Sequence, residues 1–263
     1  MATPYAASQA YPVRFLQIRR IGQDDLNWAL AEGWRDFKAK RGDLIVVGLL
    51  YPLICLMAVV VTLNNPLLPF LFPLVAGLSI AGPAVASGFY ELARRREAGL
   101  NASWWHFLDP LKGRSRWPIA LLTIMLGLLF VGWLIAAYAV YAANFGFGTP
   151  LRVQGLAGQL FSTNAGWRMI IIGNLVGLGF AIATLMVSVV SFPMVVDRPV
   201  DAGVAVRTSI HAVWTNPIVM LSWGVRIAIW LVIGLIPLAI GLAVVLPWLG
   251  YSTWHLYTRI VER

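Results

Sequence analysis

The chain has 263 residues, of which 59% are hydrophobic and only 12% charged, with a net charge of +9 and a mean hydropathy of +0.76. Soluble domains carry roughly 25% charged and about 45–50% apolar residues. The composition therefore excludes a water-facing globule, a disordered chain, a coiled coil and a nucleic-acid-binding domain, and it describes an integral membrane protein.

In chain order, residues 1–20 are rich in Ala, Pro and Tyr and read as a flexible cytoplasmic tail ending in Arg14, Arg19 and Arg20. The opening MATPYAASQAYPVRF has no apolar core of a leader, so no cleaved signal peptide is expected. From Asp24, a capping residue, Leu26, Leu30, Trp34 and Phe37 recur at helical spacing, with charges on the other faces. That pattern predicts an amphipathic helix over 24–41 lying in the membrane interface.

A bilayer core of roughly 30 Å takes about 20 helical residues. Uncharged runs supply spans at 44–63 and 67–90, separated by Asn64, Asn65 and Pro66. A basic connection leads to a third span at 117–143, and a polar, Gly-rich loop at 144–166 leads to a fourth at 167–196. Further interface helices are expected around 103–109 and 201–215. The last apolar stretch, 217–257, would be about 60 Å long as one helix, twice the core thickness, and so should turn near Gly234–Pro237 into spans 217–235 and 238–257. The fold class expected for residues 21–263 is all-α, a polytopic membrane bundle of six transmembrane helices in three hairpins with amphipathic interface helices. A single tilted span over 217–257 would put the C-terminus on the other side.

The charges give an independent reading of topology. Seventeen of the 20 Lys and Arg, and all 11 acidic residues, fall on the side of the two termini; Arg152, Arg168 and Arg226 are the other three basic residues. This bias places both termini in the cytoplasm of a multi-pass bacterial inner-membrane protein. The sequence also resembles itself: Asp25 and Ala29 match Asp201 and Ala205, and PAVASGFYELARR aligns with PWLGYSTWHLYTR, pairing Tyr90 with Trp254, Leu92 with Leu256 and Arg95 with Arg259. Three units of interface helix plus hairpin are read from this, the middle one the most divergent.

No catalytic constellation is found. There is no Walker loop, GxSxG, HExxH or pair of intramembrane carboxylates, and Cys55 stands alone, so neither a disulfide nor a CxxC site can form. His106, His211 and His255 fall near the interface, one per segment, which suits structural roles better than haem or metal ligation. No cofactor and no metal site is expected, and Glu91 reads as an ion-pair partner of Arg95. Arg226 is the sharpest candidate, for it lies about 13 Å into the fifth span, where a lone charge costs at least ~2.5–3.5 kcal/mol. Its candidate partners are Asn174, the faces of Trp223 and Trp230, freed backbone carbonyls, an anionic lipid or a neighbouring subunit; the alternative is snorkelling along its own helix. GNLVGLG, with Gly173, Gly177 and Gly179, would allow close helix approach. Trp104, Trp105, Trp117, Trp167, Trp214, Trp248 and Trp254 read as an aromatic belt.

The stretches SFPMVVDRPVDAGVAVRTSIHAVWTNPIVMLSWG, LPWLGYSTWHLYTRIVER and AGPAVASGFYELARRREAG together resemble the bacterial integral membrane family called domain of unknown function 2189, over roughly residues 20–263. The resemblance implies a multi-span inner-membrane protein. Some members are described as cytochrome c oxidase components, but this chain carries no haem or copper ligand set. The function expected is that of a non-catalytic accessory or assembly subunit, not an enzyme, associating with other integral membrane subunits of a respiratory or photosynthetic complex. The alternative is a small-solute transporter or channel, suggested by repeats and proline-broken helices. Membrane lipids are expected partners; nucleic acid and a soluble substrate are not.

Overall fold

The computed structural model describes residues 17–39, 53, 56, 60, 82–146, 153–237 and 240–263. Among these the chain is all helical, apart from an isolated antiparallel bridge between Ile18 and Val261. Helix α1 covers 23–39 and α2 Gly82–Glu97. A 3-10 turn, Trp104–Leu108, runs into the single-turn α3, Asp109–Lys112. Then come α4 (Arg116–Phe145), α5 (Val153–Ser162), α6 (Asn164–Ser188) and α7 (Ser191–Asp197). The chain ends with α8 (Ala202–Thr215), α9 (Pro217–Leu235) and α10 (Leu242–Ile260).

Among the described residues three helical stretches are long and apolar enough to cross a membrane: Arg116–Phe145, Asn164–Asp197 and Pro217–Leu235. They coincide with the third, fourth and fifth expected spans. The expected span at 44–63 and most of that at 67–90 lie outside the described residues, save Leu53, Leu56 and Val60, which are helical and exposed. The stretch 217–257 is not one helix: α9 ends at Leu235 and α10, from Leu242, packs back on it, where Gly234 meets Leu242 and Val245, and Trp230 meets Trp248. Helix α10 is not among the three apolar stretches. It carries Ser252, Thr253, His255 and Arg259 and is buried by protein along most of its length.

The loop expected at 144–166 contains a helix, α5, and α6 starts three residues earlier than the span read from sequence. Thr163 explains the early start, since its Oγ1 accepts the Gly166 amide at 3.0 Å and so caps orphan donors of the first turn. Helices α4 and α6 then pack by placing Trp133 on Gly177 and Phe180 on Gly132, close approaches that only small residues permit.

The densest packing lies at the end that holds the termini. There α2, α7 and α10 touch one another, and each is covered by a further helical segment. The 104–112 segment covers α2, with Phe107 against Gly88. Helix α8 covers α7, where Ser209 accepts the Val190 amide. Helix α1 covers α10, with Gly33 against Ser252. The arrangement is cyclic, and it places the repeat positions Ala29 and Ala205, Leu92 and Leu256, and Tyr90 and Trp254 all in the buried core.

Ion pairs stitch the same end. Glu91 binds Arg94 and Arg95, Arg95 also binds Asp109, and Asp36 binds Arg96 and His255. Arg263 reaches Glu97 and Asp197. The Glu91 hydrogen bonds hold the Arg94 guanidinium above its ordinary pKa, so it stays charged. A shared network of this kind holds its side chains more firmly than isolated surface pairs do.

Candidate functional site

The site grows out of two faces of α1. Its start is fixed by Asp25, whose carboxylate accepts the Gly22 amide at 2.9 Å, as the third residue of a capping box does. Buried Asn216, between α8 and α9, then accepts the Ile21 amide and donates to the Arg19 carbonyl. This lays α1 beside the first turns of α9. One face of α1, Leu26, Ala29, Gly33 and Phe37, is buried. The other, Gln23, Asn27, Leu30, Ala31 and Trp34, looks along α9 and α10.

Arg226 meets that second face. Its guanidinium donates to Asn27 Oδ1 at 2.6 Å and to Gln23 Oε1 at 3.0 Å, and Ser222 Oγ donates to the same Gln23 oxygen at 3.2 Å. Two hydrogen bonds from a charged donor, at about 1.5–3 kcal/mol each, offset the roughly 2.5–3.5 kcal/mol insertion cost. Both of its partners are neutral, so the positive charge is solvated but not neutralised. About one turn further along both helices lies an open apolar groove of about 440 Å³, lined by Leu30, Ala31, Trp34, Trp230, Val244, Val245 and Trp248. Trp248 packs edge-on against both Trp34 and Trp230, and its indole N–H is satisfied by the Leu30 carbonyl.

The four residues singled out from sequence separate. Asn174 is exposed on α6 and donates to the carbonyl of Ile170 on its own helix, so it is not the partner of Arg226. Trp223 is fully buried in the core, with an indole N–H that has no hydrogen-bond partner, and it does not stack on Arg226. Trp230 joins the groove instead of shielding the guanidinium. The partners that were missed, Gln23 and Asn27, carry a legible signal, because they extend the Leu30 and Trp34 face at i, i+4 spacing. Nothing in the sequence assigns that face to a helix some 200 residues away.

The other candidates are placed as follows. Glu91 binds Arg95 at 2.8 Å, the pair expected. His106 and His255 each meet one carboxylate, Asp109 and Asp36, while His211 is exposed. Among the belt tryptophans, Trp104, Trp105, Trp117, Trp167 and Trp214 are exposed, but Trp254 is fully buried and donates to Glu97. Cys55 lies outside the described residues.

No curated protein and no solved structure matches the chain. One family model does, over residues 71–197. The match includes the AGPAVASGFYELARRREAG stretch and stops at Asp197, so the Arg226 site and the other two quoted stretches lie beyond it, apart from the first seven residues of SFPMVVDRPV. Residues 71–197 match the model of the family described as predicted integral membrane protein (DUF2189).

Proposed function

We propose that this membrane protein is a non-catalytic accessory or assembly subunit of a larger respiratory or photosynthetic complex in the bacterial inner membrane, with both termini in the cytoplasm. The observation that carries the reading is the contrast between the two ends of the bundle. The cytoplasmic end is close-packed and ion-paired. By contrast, the most apolar window of the Asn164–Asp197 stretch buries none of its residues within the chain, and a Cβ on Gly173 or Gly179 would meet nothing within 4 Å. Such notched apolar faces suit the close approach of another subunit's helix. The pairing of residues 17–19 with 260–262 supports termini on one side, and the excess of Lys and Arg there supports the cytoplasmic assignment.

Purification in mild detergent, followed by mass spectrometry of co-purifying subunits, tests the proposal. Stoichiometric recovery of a membrane complex is expected, weakened by Gly173→Leu with Gly179→Leu. Recovery of the chain alone at full yield overturns it, and solute flux in vesicles holding the chain alone would put the transporter reading in its place.

A further inference from the structure

We infer that the Arg226 cluster and the tryptophan groove together form one binding site for an anionic phospholipid of the cytoplasmic leaflet, with its phosphate at the guanidinium and one acyl chain in the groove. The inference does not depend on the chain being an accessory subunit.

Three features of the geometry support it. First, the order of the two halves matches a lipid. Along α9 the sequence from the ion-paired end is Ser222, Arg226, Trp230, from polar to apolar toward the bilayer interior. Helix α1, which keeps to the ion-paired end through Asp36, presents Gln23 and Asn27 to Arg226 and Leu30 and Trp34 to the groove. Arg226 and Trp230 are separated by about 6 Å along the axis, the distance from a headgroup toward the start of a chain.

Second, the charge is available. Among the described residues Arg226 is bound by the amide oxygens of Gln23 and Asn27, which use two of its five N–H donors. A phosphate can take the remaining ones with charge assistance. The two carboxylates that follow Gln23 on α1 are directed elsewhere: Asp25 is held by the Gly22 amide and Arg259, and Asp24 lies about 100° around the helix from Gln23. Arg20 adds a second positive charge toward the surface, where it lines a shallow recess with Ile21, Asn216 and Pro217.

Third, the groove is open to the outside of the bundle and its lining is almost wholly apolar, with the indole N–H of Trp248 already given to the Leu30 carbonyl. A hydrocarbon chain needs no hydrogen-bond partner in such a groove.

The full-length protein, exchanged into micelles containing equimolar phosphatidylglycerol and phosphatidylcholine with the same chains, provides the test by native mass spectrometry. Wild type should retain phosphatidylglycerol about tenfold over phosphatidylcholine. Arg226→Gln should bring the two near parity, Arg226→Lys should keep part of the preference, and Arg116→Gln, a basic residue elsewhere at the interface, should leave it unchanged. Trp230→Ala should lower the retention of both lipids without altering their ratio. Parity in wild type, a ratio untouched by Arg226→Gln, or retention untouched by Trp230→Ala would each overturn the site as drawn. The wild-type comparison stands even if a variant fails to fold.

Discussion

A Cβ on Gly33 would fall on the Oγ and backbone of Ser252, so the approach of α1 to α10 depends on one missing methyl group. Backbone cannot yield as a flexible side chain can. Gly33→Ala is therefore expected to destabilise the protein by about 1–3 kcal/mol, read as a lowered thermal midpoint in detergent, whereas Gly179→Ala, with open space around it, should leave the midpoint unchanged. Asp36 governs the same contact electrostatically. It is 8% exposed and serves both Arg96 and His255, at 3.0 and 2.8 Å. Asp36→Ala strands two partly buried partners, an expected loss of about 1–3 kcal/mol, and it should do so more than Glu32→Ala, which removes a pair between exposed Arg35 and Glu32 of the kind worth about 0–1 kcal/mol.

The elements show how far patterning carries. The three long apolar helices and the amphipathic helices at 23–39 and 202–215 were legible because hydrophobic length and period survive without tertiary context. Of the apolar stripe on α1, Leu26 and Phe37 are buried, together with Ala29 and Gly33, while Trp34 is exposed. The close approach to α10 is made at Gly33, where small size and not apolarity decides. Helix α5 was missed because its glycines lower intrinsic propensity, while the adjacent cap at Thr163 holds the start of α6. Thr163→Ala should cost about 1 kcal/mol, seen as faster hydrogen exchange at the Gly166 amide, and α4 should be unaffected. The partners of Arg226 were out of reach because they lie 199 and 203 residues away in the chain.

At the scale of the whole molecule, the contact of α2, α7 and α10 with their three covering segments gathers acidic residues and their arginine partners at one end. The bilayer then has a simple relation to the chain. Helix α4, 30 residues long, spans about 45 Å, more than the roughly 30 Å core, so Lys112 just before it and Ser162 beyond it must lie on opposite sides. Both residues are exposed, and Cys55 is the sole native cysteine, which makes the geometry testable by labelling. In a Cys55→Ser background, Ser162→Cys should react with a membrane-impermeant maleimide on intact spheroplasts. Lys112→Cys should react only after permeabilisation, the outcome expected from the proposed cytoplasmic placement of the basic run Arg94, Arg95, Arg96, Lys112, Arg114 and Arg116. The reverse pattern would invert the protein in the membrane while leaving its fold intact. Labelling of both positions from the same side would mean that α4 does not cross, which its length and its exposed Leu121, Ile124, Leu128 and Ile135 argue against, since side chains of that kind on one continuous helix are stable only where hydrocarbon or another subunit surrounds them.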